Sequence, residues 1–128
     1  MPTIQDLKKI TEDEFLDIIR NTILLGDKLR IYFRDESYVD AYISQKQPGK
    51  FGFHWEKKDQ TGSIFRYDNY FDNKLRHLET YPHHFHYKHH DHTVASPFPL
   101  EPIDGFRAFM EFIRRNLSKS PEYAVHEI

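Results

Sequence analysis

The chain has 128 residues, of which 30% are charged, 38% hydrophobic and 16% aromatic, with nine histidines and no cysteine. Such a length predicts one domain over 1–128 that buries roughly two-thirds of its unfolded surface; lacking cysteine excludes disulfides, thiolate metal sites and a thiol nucleophile, so a metal needs His, Asp or Glu. The formal charge of −2 hides acidic ends and a mildly basic middle, which excludes the strong basic footprint of a general nucleic-acid binder and leaves room for a local binding face.

The opening residues show no apolar stretch behind basic ones, and no segment reaches the ~18–20 apolar residues of a membrane span. The expectation is a soluble, cytoplasmic protein. Thr11-Glu12-Asp13-Glu14 has capping-box spacing, Phe15, Ile18, Ile19 and Ile23 follow at helical intervals, and Gly26 suits a C-cap. A helix is therefore predicted over 11–25. From residue 28 the period becomes two: Leu29, Ile31 and Phe33, then Val39, Ala41 and Ile43, then Phe51, Phe53 and Trp55, then Phe65 and Tyr67. Turn residues at 35–36, 47–49 and 59–62 separate the runs, which predicts a four-stranded antiparallel meander over 28–68.

Every apolar position in those runs is odd-numbered, so cross-strand partners must sum to even numbers. Centring one hairpin on Gln60 sets His54 opposite Arg66 and Asp68 beside Gly52, and centring the previous one on Gln47 sets Asp40 beside His54. The uncovered face then shows Arg30, Tyr32, Arg34, Tyr38, Asp40, Tyr42, His54, Arg66 and Asp68. Arginines for phosphate and rings for bases make a platform for single-stranded nucleic acid, with Tyr32, Arg34 and Tyr42 as candidate substrate contacts. A polar outer face is also what an antiparallel sheet ordinarily has.

Residues 77–92 hold seven histidines: His77, His83, His84, His86, His89, His90 and His92. As neutral imidazoles, His84, His86, His90 and His92 are candidate ligands for zinc or another divalent transition metal, with Asp91 as an added oxygen donor, though the spacing is not specific. Read as a loop, the segment is anchored by Phe85 and Tyr87. Histidine also suits metal-free RNA cleavage, because a base must take the ribose 2′-OH proton and an acid must protonate the leaving 5′-oxygen. Ile103, Phe106, Met110, Ile113 and Leu117 predict a second helix over about 103–117, ending at Arg114 and Arg115. The expected architecture is α+β, with both helices on the apolar sheet face and an unassigned tail over 118–128.

The order Phe53-His54-Trp55, a short turn, Arg66-Tyr67-Asp68-Asn69, Pro82-His83-His84-Phe85-His86 and a C-terminal helix resembles the TumE-like toxins of bacterial and archaeal toxin–antitoxin pairs, over about 29–117. The resemblance implies a compact cytosolic protein partnered by a helix-turn-helix antitoxin, with RNA cleavage as the common activity of toxins this small. It carries over to His54, Arg66, Asp68, Asn69, His83, His84 and His86, and not to His89, His90 and His92. One departure is Tyr70-Phe71-Asp72, where the pattern has a Pro-His pair.

Three functions follow as expectations. The first is a toxin-type endoribonuclease without a cofactor, in which His83 or His86 and His54 carry protons, Arg66 clamps phosphate, Asp68 orients an imidazole or arginine, and Asn69 and His84 touch substrate. The second is a metal site on the histidine cluster. The third is a non-catalytic module that binds RNA or protein through its tyrosine and arginine face.

Overall fold

The computed structural model describes residues 2–57 and 61–118. Helix α1 spans Ile4–Glu14 and starts from a capping box at Thr3, whose hydroxyl accepts the Asp6 N–H while the Asp6 carboxylate takes the Thr3 N–H at 2.8 Å. Thr11 lies inside the helix, its hydroxyl donating to the Leu7 carbonyl at 2.7 Å. The predicted helix over 11–25 is thus corrected: α1 ends at Glu14, and Ile19–Leu25 forms strand β1. Ile18, Ile19 and Ile23 fit either period, and their β-branched side chains favour an extended chain. Gly26 does take a positive φ, of 63°, but in the two-residue turn that joins Leu25 to its partner Lys28.

The sheet has seven strands, not the expected four. After β1 come β2 (Lys28–Phe33), β3 (Tyr38–Ile43), β4 (Phe51–Lys57), β5 (Ser63–Asp68), β6 (His84–Lys88) and β7 (Thr93–Ala95), each antiparallel to the next in the order β1 to β7. The three added strands have short or broken patterns. β1 carries a register shift between Ile19 and Asn21 that interrupts its alternation, β6 comes from what reads as a histidine-rich loop over 77–92, and the three-residue β7 directly follows it. Within the predicted meander the registers hold: Asp40 pairs His54, His54 pairs Arg66, and Gly52 pairs Asp68.

Helix α2 (Pro102–Asn116) begins with proline in its first turn and with the Glu101 carboxylate accepting the Asp104 N–H at 2.8 Å. Both helices cover the odd-numbered sheet face, as expected. Leu7 and Ile10 of α1 and Phe106, Phe109, Met110 and Ile113 of α2 bury against Leu29, Ile31, Val39, Phe53, Trp55 and Tyr67, at roughly 1.5–3 kcal/mol for each large side chain removed from water. Gly105 permits the closest approach of α2, since a Cβ there would meet the Pro99 carbonyl oxygen at 2.7 Å and the Tyr67 ring at 3.1 Å. Buried Lys57 ties β4 to the end of α2 by donating to the Asn116 carbonyl and the Ser118 hydroxyl, both at 3.0 Å. Of the tail only Ser118 belongs to the described residues, and the turn centre at Gln60 also lies outside them. Among the described residues no helix is long and apolar enough to cross a membrane.

Candidate active site

Alternate residues of a strand face opposite sides, so the even-numbered side chains of β2–β6 point away from the helices. Strand registers set Arg30, Asp40, His54, Arg66 and His86 in one row across five strands, with Thr93 beyond them on β7. The neighbouring row holds Tyr42, Gly52, Asp68 and His84. The far end of the first row is self-neutralised, because Asp40 takes both Nε and a terminal nitrogen of Arg30 at 2.7 and 2.9 Å.

Asp68 organises the other end. It is 1% exposed, and one oxygen accepts Arg66 Nε at 2.6 Å while the other accepts His84 Nε2 at 3.0 Å and the Tyr70 N–H at 2.9 Å. His84 Nδ1 faces the Pro82 carbonyl at 2.8 Å. Both ring nitrogens of His84 therefore meet acceptors, an arrangement satisfied by the doubly protonated, positive ring. Burial opposes that charge, but the Asp68 bond and charge and the Pro82 carbonyl outweigh it and raise the pKa of His84. Burial likewise works against the Asp68 carboxylate, and the contacts from His84, Arg66 and the Tyr70 N–H overcome it and hold its pKa below the ordinary value. Two cations thus share one anion, leaving positive charge beneath the cleft.

His86 is a different kind of histidine. Its Nδ1 lies 2.9 Å from the His90 carbonyl, which can only accept, so Nδ1 carries the proton and Nε2 keeps a lone pair. Burial lowers its pKa more than the His90 contact raises it. His54, across Arg66 on β4, is also lowered by burial, and Glu56 Oε1 at 3.3 Å from its Nε2 offsets part of the shift. Arg66, Asp68, Tyr70, Phe71, His84 and His86, with residues 72–74, line a cleft of about 570 Å³.

The remaining candidates take other places. His83 turns toward the helix side, where it packs against Phe51 and Tyr67 at ring distances of 5.7 and 6.3 Å and sets Nε2 3.1 Å from the Leu100 carbonyl. His84 is 4% exposed, with both nitrogens engaged, so it works from beneath the surface. Asn69 braces the β3–β4 loop, accepting the Phe51 N–H at 3.0 Å and donating to the Gly49 carbonyl at 2.7 Å. Tyr42 sits beside Gly52, whereas Tyr32 packs on Tyr38 away from the cleft and Arg34 follows the end of β2.

Donor atoms of Asp68, His84 and His86 lie within 4.8 Å of one another. Asp68 is already engaged by His84 Nε2 and Arg66 Nε, so a cation would have to displace both a proton and a guanidinium. The quartet His84, His86, His90 and His92 is not assembled. His90 sits near His54 and His86, at ring distances of 6.0 and 6.4 Å, and His92 packs against Tyr87 at 6.1 Å.

Tyr70, noted in the sequence only as part of the Tyr70-Phe71-Asp72 departure, joins the site. Its ring lies under Arg66 at 5.0 Å and Lys50 at 4.5 Å, and its hydroxyl fills the space where a Cβ on Gly52 would come within 3.2 Å. A glycine inside a strand is the signal that marked this close approach. The family model described as Toxin TumE matches residues 3–117. Comparison with curated proteins and with solved structures gave no match.

Proposed function

The chain belongs to the TumE toxin family, and from that premise we propose that it cuts RNA by metal-free acid–base chemistry across the row His54–Arg66–His86. Membership implies a protein antitoxin as partner; a helix-turn-helix antitoxin and RNA as the target are part of this reading. The observation that carries it is the register itself, which sets two imidazoles on either side of one guanidinium. Strands two apart are about 9–10 Å apart, so a phosphodiester held at Arg66 has an imidazole toward each of its two apical oxygens.

His86 Nε2 takes the 2′-OH proton, and the 2′-oxygen attacks phosphorus. Arg66, fixed through Nε by Asp68, turns its terminal nitrogens to the non-bridging oxygens as charge builds on them. Buried His84 adds positive potential from below. His54, whose proton Glu56 favours, protonates the leaving 5′-oxygen as the P–O bond breaks. Products are a 2′,3′-cyclic phosphate and a 5′-hydroxyl, with the two histidines left in exchanged protonation states for solvent to reset.

The test is incubation of purified protein with total RNA, with and without chelator, beside His54→Ala, His86→Ala and His83→Ala. Chelator-resistant cleavage is expected, lowered about 10²–10⁴-fold by losing either proton carrier and nearly untouched in His83→Ala. Intact RNA at micromolar protein overturns catalysis and leaves a binding module. Cleavage abolished by chelator and restored by one divalent ion transfers the chemistry to a metal.

A further inference from the structure

We propose that the hollow between the β3–β4 loop and the residues after β5 is a nucleotide subsite for single-stranded RNA, in which Phe71 stacks on a base flanking the scissile phosphate and Lys46 and Lys50 take the adjoining phosphate. This rests on the reading of the cleft as an RNA site. The hollow has a volume of about 840 Å³ and shares Tyr70 and Phe71 with the cleft lined by Arg66 and His86, so the two adjoin across those side chains. Its lining contains Lys46 and Lys50 and no acidic residue. Phe71 is 83% exposed, the most solvent-open large apolar side chain in the described structure, and stands 6.2 Å from the Tyr81 ring.

Those features match the chemistry of a polyanion with flat, unpaired bases. Every base has a π-face, so aromatic platforms interleaved with cations bind single strands with little sequence demand. Here Arg66, Tyr70 and Lys50 follow one another, the tyrosine ring lying within 5.0 Å of both cations. The loop bearing the lysines is held in place before any ligand arrives, because Asn69 bonds the Gly49 carbonyl and the Phe51 N–H.

The experiment is fluorescence anisotropy of the full chain with a 2′-O-methyl single-stranded RNA oligonucleotide, which has no 2′-OH to attack, alongside thermal melts to verify folding. Phe71→Ala is expected to weaken binding roughly 5- to 150-fold, the range of one base–aromatic stack, and Phe71→Trp to retain it. Lys50→Ala is expected to reduce the slope of log affinity against log salt by about 0.7. Affinity of Phe71→Ala within about twofold of wild type, far below the range for one lost stack, overturns the proposal and leaves the hollow to a protein ligand. Phe71-dependent binding with no cleavage of natural RNA keeps the subsite and retracts the catalytic reading. Cleavage with Phe71-independent binding does the reverse, and absence of both removes both.

Discussion

Replacing Asp68 with asparagine keeps the side chain's shape and removes its charge. In the folded protein that charge faces Arg66 Nε at 2.6 Å and His84 Nε2 at 3.0 Å, with Asp68 and His84 only 1% and 4% exposed. Breaking a buried ionic group by removing one partner costs about 3–5 kcal/mol, a large part of the ~5–15 kcal/mol that holds a domain together. At about 3–5 °C per kcal/mol for a chain of this size, melting should fall by about 9–25 °C. The pH dependence has a definite sign. His84 has its pKa raised by folding, so its share of stability is complete below its ordinary 6.5 and is lost as pH climbs through the raised value. Asp68 is lowered, so its share is complete above 3.8 and is lost as pH falls through the lowered value. The Asp68→Asn deficit should therefore be greater at about pH 5.5 than at about pH 9, where only Arg66 still needs the carboxylate. Thermal unfolding of wild type, Asp68→Asn, His84→Gln and the double variant at both pH values measures this, and the double variant should cost less than the two singles together. A deficit under about 2 °C, or an equal one at both pH values, refutes the charged pair.

Burial lowers the pKa of both His54 and His86 from 6.5, so an acid–base pair built from them should give kcat/KM an optimum below that value, falling as His54 loses its proton; a profile flat to pH 8, about 1.5 units above an unperturbed histidine, argues against the assignment. Arg66→Lys supplies one nitrogen where Asp68 and the phosphate each need one, and should cost about 10- to 100-fold in kcat/KM; activity equal to wild type removes the clamp. Gly105→Ala adds about 1 kcal/mol of helix propensity, but its Cβ would meet the Pro99 carbonyl at 2.7 Å. Net destabilisation of about 1–3 kcal/mol is expected by denaturant melts, and a gain in stability would show that the N-terminus of α2 can shift.

The middle of the sheet was legible because one face of β2–β5 is apolar except at the Lys57–Ser63 pair that ends β4 and begins β5, and that regularity fixes parity, which with the two hairpin centres gives the partners of His54. The first 25 residues were misread because Phe15, Ile18, Ile19 and Ile23 suit two periods, while the true cap at Thr3 has aspartate at its third position rather than the glutamate that marks the commoner box. Missing β6 had the larger consequence. Of its five residues His-Phe-His-Tyr-Lys, Phe85 alone is a fully buried hydrophobe, so no alternation announces a strand. Once β6 is paired with β5, parity separates the histidines: His84 and His86 face the cleft, and His83 faces the helices. Choosing among them from sequence was not possible without that pairing. Asp68 as the holder of both an arginine and an imidazole was half visible, since the side-chain-free Gly52 was already its partner.

Core and cleft are the same strands read on alternate residues: in β5, Phe65 and Tyr67 are buried against the helices while Arg66 and Asp68 serve the other side. Deleting one residue from the interior of β5 would exchange the two sets beyond that point, driving a guanidinium and a carboxylate among phenylalanines. Frameshifted or gapped copies of this segment should therefore fail to fold rather than persist as inert proteins. Lesions that silence the protein divide accordingly into point substitutions, which leave an intact body still able to occupy its partner, and length changes, which leave nothing to be bound.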